Sequence, residues 1–239
     1  MRINKLSIVI PVYNEEKTIQ QLLQRVIDVY LIEETAKEII IINDGSNDNT
    51  HNLANSIIEN NQFLEWKYAH YPENKGKGFA IRKAIEIASG DYLIIQDADL
   101  EYNPNDYNKL LRPIIEDHAD VVYGSRFIDK NFLDKITSPH IIINRLISKT
   151  FSHYAKMNTS DVETCLKLIP LSILKSLNLK EDGFGIELEV SFHIARSKLR
   201  FLEVPISYNR RSYKAGKKIK LKDGVYAFKF INSLKKRAT

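Results

Sequence analysis

The sequence predicts an α/β domain built on a doubly wound, mostly parallel sheet with helices on both faces. Short apolar runs bounded by turn residues alternate with longer stretches of helical period across residues 7–124. Such alternation is the mark of βαβ units. Each apolar run also ends in a polar cluster, and ligands bind at the C-terminal strand ends of such sheets. At 239 residues the chain is long enough for one large domain with a C-terminal appendage.

Residues 7–12 read as the first strand and 15–30 as a helix, with Ile19, Leu22, Leu23, Val26 and Ile27 at helical spacing. Residues 38–42 form a second strand, and 47–60 a helix with Asn or Asp available as a cap. A third strand is expected over 65–70, a helix over 77–88 and a fourth strand over 92–96. Residues 104–118 read as a helix in which Pro113 predicts a kink, and 120–124 as a fifth strand. Beyond residue 128 the pattern changes. Residues 141–157 carry Ile142, Leu146, Ile147, Phe151 and Tyr154 on or near one helical face. A core helix is favoured there over one lying on a membrane, because most amphipathic helices face their own domain. Residues 183–195 read as a helix, 202–208 as a strand and 223–234 as a terminal helix.

The composition, 44% hydrophobic and 27% charged without low-complexity tracts, is that of an ordered globular chain. Its apolar runs, such as 39–42 and 141–143, are far too short to cross a bilayer. The N-terminus runs into a strand without a secretory core. Cys165 is the only cysteine, so no intrachain disulfide can form, which fits a reducing cytosol. A cytoplasmic location is expected. The net charge of +5 hides an asymmetry. Residues 196–239 hold 14 Lys and Arg against 2 Asp and Glu, whereas residues 1–195 hold 21 against 28. A basic final fifth on an acidic body points to an anionic partner: a phosphate ligand, an anionic membrane or nucleic acid. No nucleic-acid recognition module accompanies it.

Four strand ends carry the chemistry. Asp97-Ala98-Asp99 follows the fourth strand, and carboxylates two apart on an extended chain point the same way. Such a pair suits Mg²⁺ or Mn²⁺, with open positions for water and phosphate oxygens. After the first strand, Pro11-Val12-Tyr13-Asn14-Glu15-Glu16 offers a ring for stacking and a carboxylate for a base or ribose. After the second, Gly45 permits a tight turn while Asp44 projects toward the crevice. Glu73-Asn74-Lys75-Gly76-Lys77-Gly78-Phe79 precedes a helix; its glycines let backbone N–H groups approach an anion, and Lys77 and Arg82 are within reach of a diphosphate. It is not a Walker motif.

Taken singly, each of these segments also fits an ordinary turn or helix cap. Their order is more specific. Together with Tyr123-Gly124-Ser125-Arg126-Phe127 they resemble the family 2 glycosyltransferases, and most closely the polyprenyl-phosphate branch that includes dolichyl-phosphate mannosyltransferase. The resemblance covers roughly residues 5–215. It implies a GT-A, Rossmann-like fold and a nucleotide-diphospho-sugar donor. Pro11, Tyr13, Glu15 and Asp44 would line the nucleoside pocket, with Lys77 and Arg126 on the sugar diphosphate. Asp97, Asp99 and Glu101 would hold the metal; many relatives have Gln where this chain has Glu101. The implied division is a GT-A domain over 1–215, donor half 1–127 and acceptor half 128–215, followed by a basic tail over 216–239.

Asp161-Val162-Glu163-Thr164-Cys165-Leu166-Lys167 aligns with an Asp-x-x-Ser-Gly-Phe-Arg element of that branch, from which Cys165 and Leu166 depart. Asp161 would face the sugar or acceptor. Glu203-Val204-Pro205-Ile206, followed by Arg210, Arg211, Tyr213 and Lys217, resembles the acceptor-phosphate segment, to which Arg126 would also contribute. The implied reaction is inverting transfer to a polyprenyl phosphate, with Asp97, Asp99, Asp161, Arg210 and Arg211 as the catalytic set. A lipid monophosphate is already anionic and attacks without a base, so Asp161 would position. A sugar hydroxyl, as in cell-surface polysaccharide synthesis, needs a base, and Asp161 would be the candidate. A non-catalytic sugar-nucleotide-binding protein is a further alternative, against which the intact carboxylate set speaks. The basic tail, with Val225, Tyr226, Phe228, Phe230 and Ile231 interleaved, offers peripheral contact with an anionic bilayer. The sequence does not reveal the oligomeric state.

Overall fold

Four consecutive isoleucines, Ile39 to Ile42, are all fully buried. Side chains alternate between the faces of a sheet, so this strand is covered on both sides, as parallel sheets in α/β proteins are. The computed structural model describes residues 2–128, 139–210 and 221–237. Its single sheet has seven strands: β1 (Lys5–Val12), β2 (Ala36–Asp44), β3 (Glu65–Tyr71), β4 (Tyr92–Ile95), β5 (Val121–Ser125), β6 (Lys167–Pro170) and β7 (Phe201–Pro205). They lie in the order β3-β2-β1-β4-β6-β5-β7. All pairings are parallel except those of β6, which runs antiparallel to both β4 and β5.

The helices among the described residues are α1 (Ile19–Asp28), α2 (Thr50–Asn60), α3 (Lys77–Ile87), α4 (Tyr107–Ile115), α5 (Pro139–Ala155), α6 (Leu171–Ser176), α7 (Ile186–Ala195) and α8 (Leu221–Arg237). The apolar stripe of α1, with Ile19, Leu22, Leu23 and Val26, is wholly buried, and each such side chain contributes roughly 1.5–3 kcal/mol. Pro113 sits inside α4, two residues before its end. None of the described helices is long and apolar enough to cross a membrane.

The expected alternation of strands and helices is present through β5. The antiparallel β6 and the short α6 were not expected. In α5, Ile147 and Phe151 are buried as a core helix requires, whereas Ile142, Leu146 and Tyr154 remain exposed. The terminal helix turns Ala227, Phe230 and Ile231 into the same core, so Phe230 and Ile231 face the domain rather than a bilayer. Gly224 permits this approach: a Cβ there would lie 2.8 Å from Ile143 Cγ2 on α5. The boundary expected at residue 215 lies outside the described residues.

The chain winds outward from β1 through β2 to β3, then returns to place β4 on the other side of β1. That reversal is the topological switch point, where adjacent loops diverge and leave a crevice beyond the strand ends.

Candidate active site

The loops after β1 and β2 are laced together across the crevice mouth. Asn14 N–H donates to Ser46 Oγ (2.9 Å), and Asn47 N–H to Asn14 Oδ1 (2.8 Å). Glu15 N–H donates to Thr50 Oγ1 (2.9 Å), and the Glu15 carboxylate accepts from the Thr18 hydroxyl at 2.8 Å. Asp44, at the tip of β2, accepts from the backbone of the glycine-rich loop: Gly76 N–H at 2.7 Å and Lys75 N–H at 3.0 Å. The loop needs its glycine here. Gly76 has φ +112°, and a Cβ would lie 2.4 Å from the Asp182 carbonyl.

These residues form the outer compartment of a cleft with a volume of about 360 Å³. Pro11, Tyr13, Glu15 and Asp44 line it, and Lys77, Asp97, Asp99 and Glu101 form its floor. An inner compartment opens from the same floor. Arg126, Arg210, Glu163, Glu187 and Tyr208 line it, and Phe184 borders both.

Lys77, in the first turn of α3, bridges the two compartments. Its Nζ lies 2.7 Å from Asp97 Oδ1 and 3.0 Å from Glu187 Oε1. Burial opposes charge on this ammonium, but the Asp97 and Glu187 carboxylates outweigh it and hold its pKa well above the ordinary value. Glu187 extends the chain of charge, its other oxygen lying 2.5 Å from Nζ of the fully buried Lys167 on β6.

Asp161 does not line either compartment. It is fully buried, and both oxygens are bound by Arg126: Nε to Oδ2 and Nη2 to Oδ1, each at 2.7 Å, with the Arg126 N–H adding a third contact at 3.0 Å. Burial disfavours the guanidinium charge, yet the adjacent carboxylate holds Arg126 well above its usual pKa. The guanidinium also stands over the rings of Tyr208 (5.1 Å) and Tyr102 (5.8 Å). Proton abstraction by Asp161 does not fit this arrangement; orienting Arg126 does.

Asp97 and Asp99 line the same floor, whereas the Glu101 carboxylate accepts from the Tyr208 hydroxyl. Glu101 therefore ties the strand-end loop of β4 to the segment after β7, and the Asn209 N–H donates to its carbonyl at 2.8 Å. Among the described residues no three Asp, Glu, His or Cys side chains form a metal cage. The donor set nevertheless fits a divalent ion: two hard carboxylates beside a cleft, one already paired with an ammonium, with other positions left to water and phosphate oxygens.

Arg82 is directed elsewhere, paired with Asp182. Arg211, Tyr213 and Lys217 lie outside the described residues. Glu187, Lys167, Tyr208 and Phe184 were not singled out from sequence. Glu187 and Glu189 in the first turn of α7 look like ordinary helix-start carboxylates, and only Lys77 distinguishes Glu187 as part of the site.

The carboxylate floor thus lies at the switch point of a GT-A fold. The chain belongs to the glycosyl transferase family 2, whose family model matches residues 7–177. It is 28% identical over 207 residues to glycosyltransferase AglJ of Haloferax volcanii, covering 86% of this chain and 63% of that one. It is 34% identical over 150 residues to the undecaprenyl-phosphate 4-deoxy-4-formamido-L-arabinose transferase of Proteus mirabilis, covering 62% and 44%. The chain thus spans less than two thirds of either relative. Its fold matches glucosyl-3-phosphoglycerate synthase from Mycobacterium tuberculosis, solved with Mn²⁺, uridine diphosphate and phosphoglyceric acid. The TM-score is 0.69 at 18% identity, over 98% of this chain and 78% of that one.

Proposed function

We propose that this protein transfers a sugar, with inversion, from a UDP- or GDP-linked donor to a polyprenyl phosphate. One observation carries the reading: two compartments share the floor of Lys77, Asp97 and Asp99, and the inner one is lined by the cations Arg126 and Arg210. A donor diphosphate fits the shared floor, and an anionic acceptor fits the arginines. The Proteus relative, named for its undecaprenyl-phosphate acceptor, supports the lipid, and the mycobacterial neighbour supports a nucleoside diphosphate with Mn²⁺.

In this reading the nucleoside rests among Pro11, Tyr13, Glu15 and Asp44. The Asp44 carboxylate, already holding the loop backbone, retains lone-pair capacity for a base imide or ribose hydroxyl. Asp97 and Asp99 would hold Mg²⁺ or Mn²⁺, which supplies Lewis-acid stabilisation of a departing diphosphate. Lys77 adds fixed positive charge there, aimed where negative charge develops. Arg126, oriented by Asp161, and Arg210 hold the acceptor phosphate, with Arg211, Tyr213 and Lys217 assigned to the same task. A phosphate oxygen bonds to the anomeric carbon as the opposite carbon–oxygen bond breaks, and that electron pair leaves with the diphosphate. The nucleophile is already anionic, so no base is required.

The test is a screen of UDP- and GDP-sugars with Mn²⁺ against polyprenyl phosphate and soluble sugar acceptors. Lipid-linked product is expected. Product on sugar hydroxyls alone would sink the acceptor assignment and leave the family intact.

A further inference from the structure

Glu163 lines the inner compartment beside Arg126 and Arg210. The charged groups around it are committed to one another: Arg126 binds Asp161, and Lys167 binds Glu187. The Glu163 carboxylate makes no such hydrogen bond or ion pair among the described residues, and neither does the Arg210 guanidinium on the same wall. A carboxylate left without partners on the wall of a compartment suited to anions calls for a ligand, and an ionised one would repel a phosphate.

We propose that Glu163 meets the acceptor phosphate as a neutral acid, donating a hydrogen bond to one of its non-attacking oxygens. The inference rests on the phosphate-acceptor reading and specifies how that site takes its substrate. A protonated carboxyl supplies one O–H donor where two arginines supply only N–H groups. The surroundings favour that form. Burial pushes the Glu163 pKa up to about 7; Lys167 and Arg126 pull it down, while Glu187 and Asp161 push it up. An arriving phosphate adds negative charge and raises proton affinity further. Acceptor binding is therefore strongest where Glu163 is protonated, and it weakens as the pH climbs.

The experiment measures kcat and KM for polyprenyl phosphate across a pH series from about 6 to 9, for the full chain and for E163Q and E163A. For the unaltered protein, KM for the acceptor is expected to rise by up to about tenfold per pH unit above the titration, with kcat little affected. E163Q keeps an N–H donor that does not titrate, so its KM at high pH is expected to fall below that of the unaltered protein. E163A loses the donor, and its KM is expected to rise about 10- to 100-fold at low pH. Loss of kcat in E163Q at every pH, with KM unmoved, would identify a base and overturn the proposal. So would an E163Q profile that superimposes on that of the unaltered protein. Failure of the phosphate reading is visible separately, as absence of lipid-linked product from the unaltered protein.

Discussion

Arg126 closes over Asp161 with two parallel contacts of 2.7 Å, and the carboxylate is fully removed from solvent. Removing one member of a buried pair leaves the other charge uncompensated, at a cost of about 3–5 kcal/mol. Asp161→Ala is expected to lose about that much stability in urea unfolding and to weaken acceptor binding as Arg126 loses its orientation. Asp161→Asn, which retains one acceptor oxygen, should fall between. A large loss of kcat in Asp161→Asn with stability and acceptor KM unchanged would contradict the positioning role.

Lys77 predicts a different pattern, because its partners belong to both compartments. Lys77→Met leaves Asp97 and Glu187 facing each other without the ammonium between them. Loss of a preorganised charge at a developing anion costs about 10²–10³ in kcat. That loss is expected here with KM for the acceptor unmoved. Equal losses for both substrates would point to collapse of the cleft instead.

Asp99→Asn tests the metal assignment and the enzyme class together. With one of the two hard anionic donors neutralised, Mn²⁺-dependent transfer is expected to vanish, and EDTA should have the same effect on the unaltered protein. Calorimetry of UDP binding with and without Mn²⁺ provides the check. Transfer that survives EDTA would remove the metal from the mechanism.

The strand-end positions of Tyr13, Asp44 and Asp97 were legible because polar residues at or just after the end of apolar runs mark the C-terminal edge of a parallel sheet. The antiparallel β6 was not. It has four residues, starts with a lysine and ends with a proline, and its apolar content is too short to distinguish from a loop. Lys167 is buried there with its charge met by Glu187, 20 residues further along on a helix, and by the Thr164 carbonyl. Asp161 was legible as a special carboxylate but not as a closed one, since its partner Arg126 lies 35 residues away on another element. Sequence spacing reveals which side chains leave a strand end together. It does not reveal which charges will cancel once the loops meet.

Glu38 lies at the opposite end of the sheet and makes stability depend on pH. Its carboxylate is fully buried and accepts from Ser89 N–H (2.9 Å) and Ser89 Oγ (2.6 Å), with Ser7 Oγ and the Lys67 ammonium also in contact. Burial would raise its pKa, but Lys67 and the serine hydrogen bonds together hold it at about 2, below the ordinary 4.5. A depressed folded-state pKa means that the unfolded chain binds the proton more readily. The stabilisation is therefore complete above about pH 4.5 and is lost as the pH falls toward 2. A shift of this size corresponds to about 3 kcal/mol. Glu38→Gln is expected to cost up to that amount at pH 7, and its difference from the unaltered protein should shrink steadily below pH 4.5. Urea unfolding at a series of pH values provides the measurement. A difference that stays constant down to pH 2 would show that packing, rather than the Glu38 charge, accounts for the loss.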